Sequence, residues 1–234
     1  MTGSIERVGV LGCGLMGAGI GEVCARAGVD VVVVEVGDAA LARGRNRILR
    51  SLNRAVETGK LEASSHQAAV ARLAFSTDLD AFADRQLVVE AVPEVMDLKL
   101  DAFRTIDRIV KDDNAILASN TSSIPVVRLA AVTNRPEQVL GLHFFNPVPV
   151  LRLVEVVSSL LTSPAVRVRA EEFATHALGK QVIRSQDRAG FVVTRCSCPT
   201  CSQPSGCSSP ASPQPRTSTR GWWRVAPIPW VPFG

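Results

Sequence analysis

The stretch RVGVLGCGLMGAGI, residues 7–20, decides the reading of this chain. Arg7–Leu11 is a short apolar run, Gly12, Gly14 and Gly17 spell G-x-G-x-x-G, and helical sequence continues to Ala27. Glycines are common, so the motif alone says little. Its setting says more: it ends a strand, opens a helix, and stands 18 residues before Glu35, the acid that closes the β-branched run Val31–Val34. Each glycine meets a separate need. Gly12 permits the tight turn, Gly14 lets a pyrophosphate approach the backbone, and Gly17 lets the helix pack close to the strand. The first N–H groups of that helix favour an anion. Glu35 would accept hydrogen bonds from ribose hydroxyls and repel a 2′-phosphate, so the expected cofactor is NAD rather than NADP. A glycine-rich turn in another α/β protein is the competing reading.

Outward from this motif, an amphipathic stretch starts at Asp38, with Leu41, Ile48, Leu49, Leu52 and Val56 on its apolar side. Further strand candidates are Leu87–Ala91, Ala115–Ala118, Val139–His143 and Leu151–Val157, the first of them followed by a helical segment at 94–110. Strands that are apolar throughout and separated by helices indicate a parallel sheet covered on both faces. The expected fold is α/β, Rossmann-type and doubly wound, with a mainly parallel sheet and flanking helices.

The chain has 234 residues, 46% hydrophobic and 21% charged, in the range of one or two globular domains. No apolar run approaches the roughly 20 residues of a membrane span. The start, with Glu6 and Arg7 among few apolar residues, lacks the pattern of a secretory leader. A cytoplasmic protein is expected, with neither membrane nor nucleic acid as partner. The net charge of +4 is unevenly placed. Residues 195–234 hold four of the six Cys, eight of the 14 Pro, all three Trp and four Arg, with no acid. Residues 1–194 carry 22 basic and 22 acidic residues, so the basicity belongs to the tail.

A second informative stretch is Gly141-Leu-His143-Phe-Phe-Asn146-Pro147-Val-Pro149, at the end of a strand where such folds place ligands. Glu155 follows inside an apolar strand, where a carboxylate without a partner is costly to bury. If the two strands pair, His143 and Glu155 meet, and a carboxylate that fixes an imidazole makes a proton-transfer device. A core histidine beside an edge carboxylate is the other open reading. His66 and His176 lie in polar helical surroundings and are expected at the surface. The run Ser119-Asn120-Thr121-Ser122-Ser123 either caps a helix leading from Pro125 or offers a hydroxyl to a substrate. Arg43, Arg45, Arg47, Arg50 and Arg54 suit either an anionic ligand or a solvated helix face. No metal site is expected.

Together, VGVLGCGLMGAGI, LVVEAVPE, ILASNTSSIP, GLHFFNPVPVLRLVEVV and GKQVIRSQDRAGFVV resemble the L-3-hydroxyacyl-CoA dehydrogenase family, nearest its bacterial 3-hydroxybutyryl-CoA branch. The resemblance covers residues 1–193 and implies NAD-dependent oxidation of an L-3-hydroxyacyl-CoA to the 3-ketoacyl-CoA, or the reverse. It implies catalytic roles for His143 as base, Glu155 as orienting carboxylate, Ser122 toward the 3-oxygen, and Asn146 near nicotinamide and acyl group. For the cofactor it points to Gly12, Gly14, Leu15, Met16, Gly17, Glu35, Glu94, Lys99, Asn120, Ser122 and Asn146. For the acyl-CoA it points to Ser51, Lys60, Lys99 and Ser122.

The resemblance stops at Thr194. The family pattern continues after GFVV with Asn and an apolar helix, opening an all-helical domain that completes the substrate cleft and the homodimer surface. Here a disordered, Cys-, Pro-, Ser- and Arg-rich tail, 194–234, is expected in its place. A one-base frameshift accounts for the change: restoring one base before the Thr194 codon lets permitted codons read NALLVPYL and, further on, AHPMGPL. On this reading the spaced cysteines Cys196, Cys198, Cys201 and Cys207 are no zinc cluster, and Trp222-Trp223-Arg224 is no nucleic-acid or membrane segment. A truncated NAD-binding relic with little or no activity is then the alternative to a working dehydrogenase.

Overall fold

The computed structural model describes residues 4–187, so the Thr194 junction and the tail lie outside the described residues. Eight strands form one sheet: β1 (Arg7–Leu11), β2 (Asp30–Val34), β3 (Leu73–Ser76), β4 (Leu87–Glu90), β5 (Ile116–Ser119), β6 (Val139–Phe144), β7 (Leu153–Ser158) and β8 (Gln181–Gln186). Their spatial order is β3-β2-β1-β4-β5-β6-β7-β8, and every pairing is parallel except β6 with β7. After β1 the chain winds outward through β2 and β3, then returns to place β4 on the other side of β1. That reversal opens a crevice at the carboxyl ends of β1 and β4, where doubly wound sheets bind ligands.

Alternation along each strand feeds two cores. Val8, Val10, Val31, Val33, Val89 and Ile116 face one side, packed against α1 (Leu15–Arg26), α2 (Asp38–Glu57) and α6 (Pro164–Glu172). Leu11, Val32, Val34, Val88 and Leu117 face the other, under α4 (Met96–Ile109) and α5 (Val126–Ala130). Both faces are covered, which is why the central strands carry no polar alternation. Helix α1 is buried along its whole middle, from Gly17 to Ala25, as a helix apolar on nearly all sides must be.

The six strands expected from the sequence are present, each within two residues of its expected bounds. Both flanking strands were absent from that expectation. β3, LAFS, is only four residues long and none of them is fully buried, and β8, QVIRSQ, is polar at four of its six positions, because an edge strand buries less of itself. A further helix, α3 (Ala63–Ala71), has no apolar stripe to read in the sequence, since only Ala69 of its residues is buried.

Candidate active site

The β1–α1 turn is built as its glycines require. Gly12 has φ +95°, a left-handed backbone angle, and any Cβ there would stand 2.8 Å from the Ala91 carbonyl oxygen at the end of β4. A Cβ on Gly17 would fall 1.9 Å from the Gly12 carbonyl oxygen, so helix and turn touch backbone to backbone. Beside Gly14 there is open space, with no atom within 4 Å of where its Cβ would be. Helix α1 begins at Gly14 with no side-chain cap and no acid in its first turn, leaving its leading N–H groups to a ligand.

That helix start faces a cleft of about 660 Å³ lined by Gly12, Gly14, Leu15, Met16 and Glu35, among others. Glu35 sits at the end of β2 and accepts hydrogen bonds from the Cys13 N–H at 2.7 Å and the Val36 N–H at 2.9 Å. One bond to each carboxylate oxygen leaves acceptor capacity for ribose hydroxyls. An uncapped helix N-terminus, open space at Gly14 and an acid at the neighbouring strand end fit a dinucleotide.

His143 and Glu155 are register partners across the antiparallel β6–β7 pair. His143 Nδ1 lies 3.2 Å from Glu155 Oε2, both groups being buried. A carboxylate partner favours the tautomer with the proton on Nδ1. Glu155 is not at an edge: β8 covers it on the far side. Thus the pairing that the sequence left open is met in space. His176 is exposed, whereas His66 is partly buried and bonded to Asn53 Oδ1 at 2.8 Å.

The polar run Ser119–Ser123 closes and follows β5. It does not cap α5, whose leading N–H groups at Val126 and Val127 bond to the Asp187 carboxylate at 2.8 and 2.7 Å. Instead Glu94 gathers the run. Its Oε1 accepts from the Thr121 hydroxyl, the Ser122 N–H at 3.0 Å, and the Ser123 N–H and hydroxyl at 3.1 and 3.0 Å. Burial pushes the Glu94 carboxyl up, but the Thr121 bond, the Lys99 charge and the Ser122 and Ser123 bonds outweigh it and hold it below the usual value. Asn120 Oδ1 accepts the Phe144 N–H at 2.9 Å, tying the run to the residue after His143.

Lys99 is beneath this loop and not on a cleft wall. It is 1% exposed, and its ammonium lies 2.6 Å from Glu90 Oε1, 3.2 Å from the Val92 carbonyl and 3.4 Å from Glu94 Oε2. Glu90 in turn accepts the Ser119 hydroxyl at 2.6 Å and the Val92 N–H at 2.7 Å. Lys99 therefore reaches the loop only through Glu94.

A second cleft, about 750 Å³, holds Ser51 and Lys60 together with Glu22, Arg26, Arg54, Arg152 and Lys180. A narrower hollow of about 130 Å³ shares Glu22, Ser51, Pro147 and Pro149 with it and reaches Asn146 and Leu15. The two make one path from the loop after β6 to the end of α2. The basic face of α2 divides. Arg54 lines the larger cleft, Arg47 bonds the Cys13 carbonyl at 3.0 Å, Arg45 lies over the Phe75 ring at 5.7 Å, and Arg50 bonds the Asn46 carbonyl of its own helix. Among residues the sequence reading missed, Glu22, Glu90, Asp187 and Lys180 matter most. Glu22 and Glu90 left a signal, the one an acid within a mostly apolar helix and the other an acid closing an apolar strand. Among the described residues no helix is long and apolar enough to cross a membrane.

Comparison with known proteins agrees with this geometry. Residues 7–188 match the family model described as 3-hydroxyacyl-CoA dehydrogenase, NAD binding domain. A 3-hydroxybutyryl-CoA dehydrogenase of Mycobacterium tuberculosis is 55% identical over 193 residues, covering 82% of this chain and 68% of that protein. A 3-hydroxyadipyl-CoA dehydrogenase of Escherichia coli is 40% identical over 192 residues, covering 82% of this chain and 40% of its own length. The crystal structure of (S)-3-hydroxybutyryl-CoA dehydrogenase from Ralstonia eutropha superposes with a TM-score of 0.81 at 43% identity, covering 84% of this chain and 69% of that one.

Proposed function

This chain belongs to the 3-hydroxyacyl-CoA dehydrogenase family, an NAD-dependent oxidoreductase family, and from that premise we propose that it interconverts an L-3-hydroxyacyl-CoA, 3-hydroxybutyryl-CoA in the first place, and its 3-ketoacyl-CoA through the His143–Glu155 pair. The observation that carries this is the cross-strand bond from His143 Nδ1 to Glu155 Oε2. With Nδ1–H held there, Nε2 accepts the 3-hydroxyl proton, and the carboxylate stabilises the imidazolium that results. NAD, when held by the turn at Gly12–Gly17 and by Glu35, would supply the acceptor for the hydride that leaves C3. Ser122 and Asn146 sit on loops that close on β6 and α1, and in this reading they hold the 3-oxygen and the acyl group. Gly12, Gly14, Leu15, Met16, Gly17 and Glu35 hold the dinucleotide, with Glu94 and Asn120 shaping the nicotinamide end and Lys99 positioning Glu94. The cationic cleft at Ser51 and Lys60 takes the nucleotide end of CoA.

The test is reduction of acetoacetyl-CoA by NADH. His143→Ala is expected to lower turnover by about 10²–10⁴ while leaving NADH affinity within about twofold, since the histidine belongs to the chemical step. Equal loss of NADH binding and turnover would remove the dyad reading.

A second reading is favoured by the change of composition after Thr194: residues 195–234 hold four of the six Cys, eight of the 14 Pro and no acid. We take residues 1–193 as the NAD-binding domain and 194–234 as frame-shifted sequence replacing a substrate domain. Turnover is then far below that of the relatives, and weakened NAD binding survives. The nucleotide sequence across the Thr194 codon checks this directly, and ordinary family turnover by the purified, monomeric 234-residue chain would refute it.

A further inference from the structure

Lys180 is buried, 7% exposed, yet lines the larger cleft. It follows Gly179, whose φ is +62°, at the entry to β8. Its ammonium donates to the Val148 carbonyl at 2.6 Å and the Leu151 carbonyl at 2.7 Å. These bonds pin the loop that follows Asn146. The same loop seats on α1, where a Cβ at Gly19 would lie 2.8 Å from Val148 Cβ. An ammonium has three N–H donors, and two are used here.

Neither of those carbonyls carries a charge. The cleft around them adds Arg26 from α1, Arg54 from α2, Lys60 just after α2, and Arg152 before β7; its one acidic lining residue is Glu22 of α1. Burial first, then the Arg26 charge, hold the Lys180 ammonium below the usual lysine range, with the Cys24 thiol acting against them. A buried cation short of negative charge, on the floor of a cationic cleft, is a seat for a multiply charged anion.

We infer that Lys180 is the buried anchor for the phosphorylated end of the acyl-CoA, giving its third N–H to a phosphate oxygen while the other two hold the loop at 147–151. This rests on the assignment of the larger cleft to the CoA nucleotide. One ammonium then ties nucleotide binding to the loop that presents Asn146 to the acyl group.

The test uses the 234-residue chain labelled with ¹³C-lysine. Its four lysines, Lys60, Lys99, Lys111 and Lys180, are few enough to assign by single substitution. CoA is expected to raise the pH midpoint of the Lys180 Cε signal, and pantetheine, which has no phosphate, to leave it in place. By calorimetry Lys180→Met is expected to weaken CoA about 10- to 100-fold, the range of one charge-assisted hydrogen bond. Pantetheine affinity should stay within about twofold, and NADH affinity reports that the variant is folded. CoA that binds without moving the Lys180 signal overturns the inference and leaves the cleft assignment standing. Wild-type affinity in folded Lys180→Met does the same. Failure of the unaltered chain to bind CoA overturns both. If Lys180→Met does not fold, the titration of the unaltered chain decides alone.

Discussion

Two glycines of one motif, three residues apart, are expected to respond to alanine in opposite ways. At Gly17 the added Cβ would meet the Gly12 carbonyl oxygen at 1.9 Å and its carbon at 2.9 Å, both backbone atoms with no rotamer to escape into. Contacts under about 3 Å are not tolerated, so α1 must shift by about 1 Å relative to the turn, an overpacking cost of about 3 kcal/mol. For a domain of this size that is a fall in Tm of about 6–12 °C. At Gly14 nothing lies within 4 Å, and φ −65° with ψ −163° is open to any L residue. Alanine there gains about 0.4–1 kcal/mol by restricting the unfolded chain and gives back a similar amount as a poorer N-cap. Stability should stay within about 0.5 kcal/mol of wild type. Yet NADH affinity should collapse in Gly14→Ala, because the methyl occupies the space left for the pyrophosphate. Thermal unfolding and NADH fluorescence titration of both variants make the comparison. Gly14→Ala that binds NADH normally refutes the role given to that space; Gly17→Ala as stable as wild type refutes the packing argument.

Three further outcomes can be read by the same methods. Asp187→Ala removes both acceptors from the start of α5 and is expected to cost about 0.5–2 kcal/mol, seen as a lower urea midpoint, with Asp187→Asn intermediate. Lys99→Met strands the Glu90 carboxylate in the interior and is expected to cost about 3–5 kcal/mol, whereas Lys99→Met combined with Glu90→Gln should recover part of it; additive losses would show that the two groups are not coupled. Glu22 is raised by burial, with Ser51 and Arg26 opposing. Its contribution is therefore fully present below the unfolded value of 4.5 and lost as pH rises through the folded one. Glu22→Gln is thus expected to raise Tm at pH 7 and to make no difference near pH 4.

What could be read from the sequence follows burial. Strands β1, β2, β4, β5, β6 and β7 are buried along nearly their whole length, and such runs between helices admit few arrangements. The flanking strands had to be found in the structure, because β3 is an apolar run of only three residues and β8, free at an edge to be polar, resembles a loop. Likewise α3 lacks a stripe because, of its residues, only Ala69 is fully buried.

The site divides along a different line. Groups whose partners lie at a fixed offset in the sheet, His143 and Glu155 above all, were legible once the two strands were supposed to pair. Groups whose partners come from remote segments were not. Nothing in Ser119–Ser123 says that its hydroxyls turn to Glu94, or that the cap of α5 arrives from Asp187, some 60 positions away. Lys99 and Lys60 look equivalent as lone lysines near polar sequence, but one is sealed under Glu90 and Glu94 and the other lines an open cleft. Lys180 is the extreme case. Its two partners are backbone carbonyls, which carry no residue identity, so no pattern of side chains in the sequence encodes the loop it holds. A resemblance can match such a residue, but its task is settled by which donor remains once the backbone has taken the others.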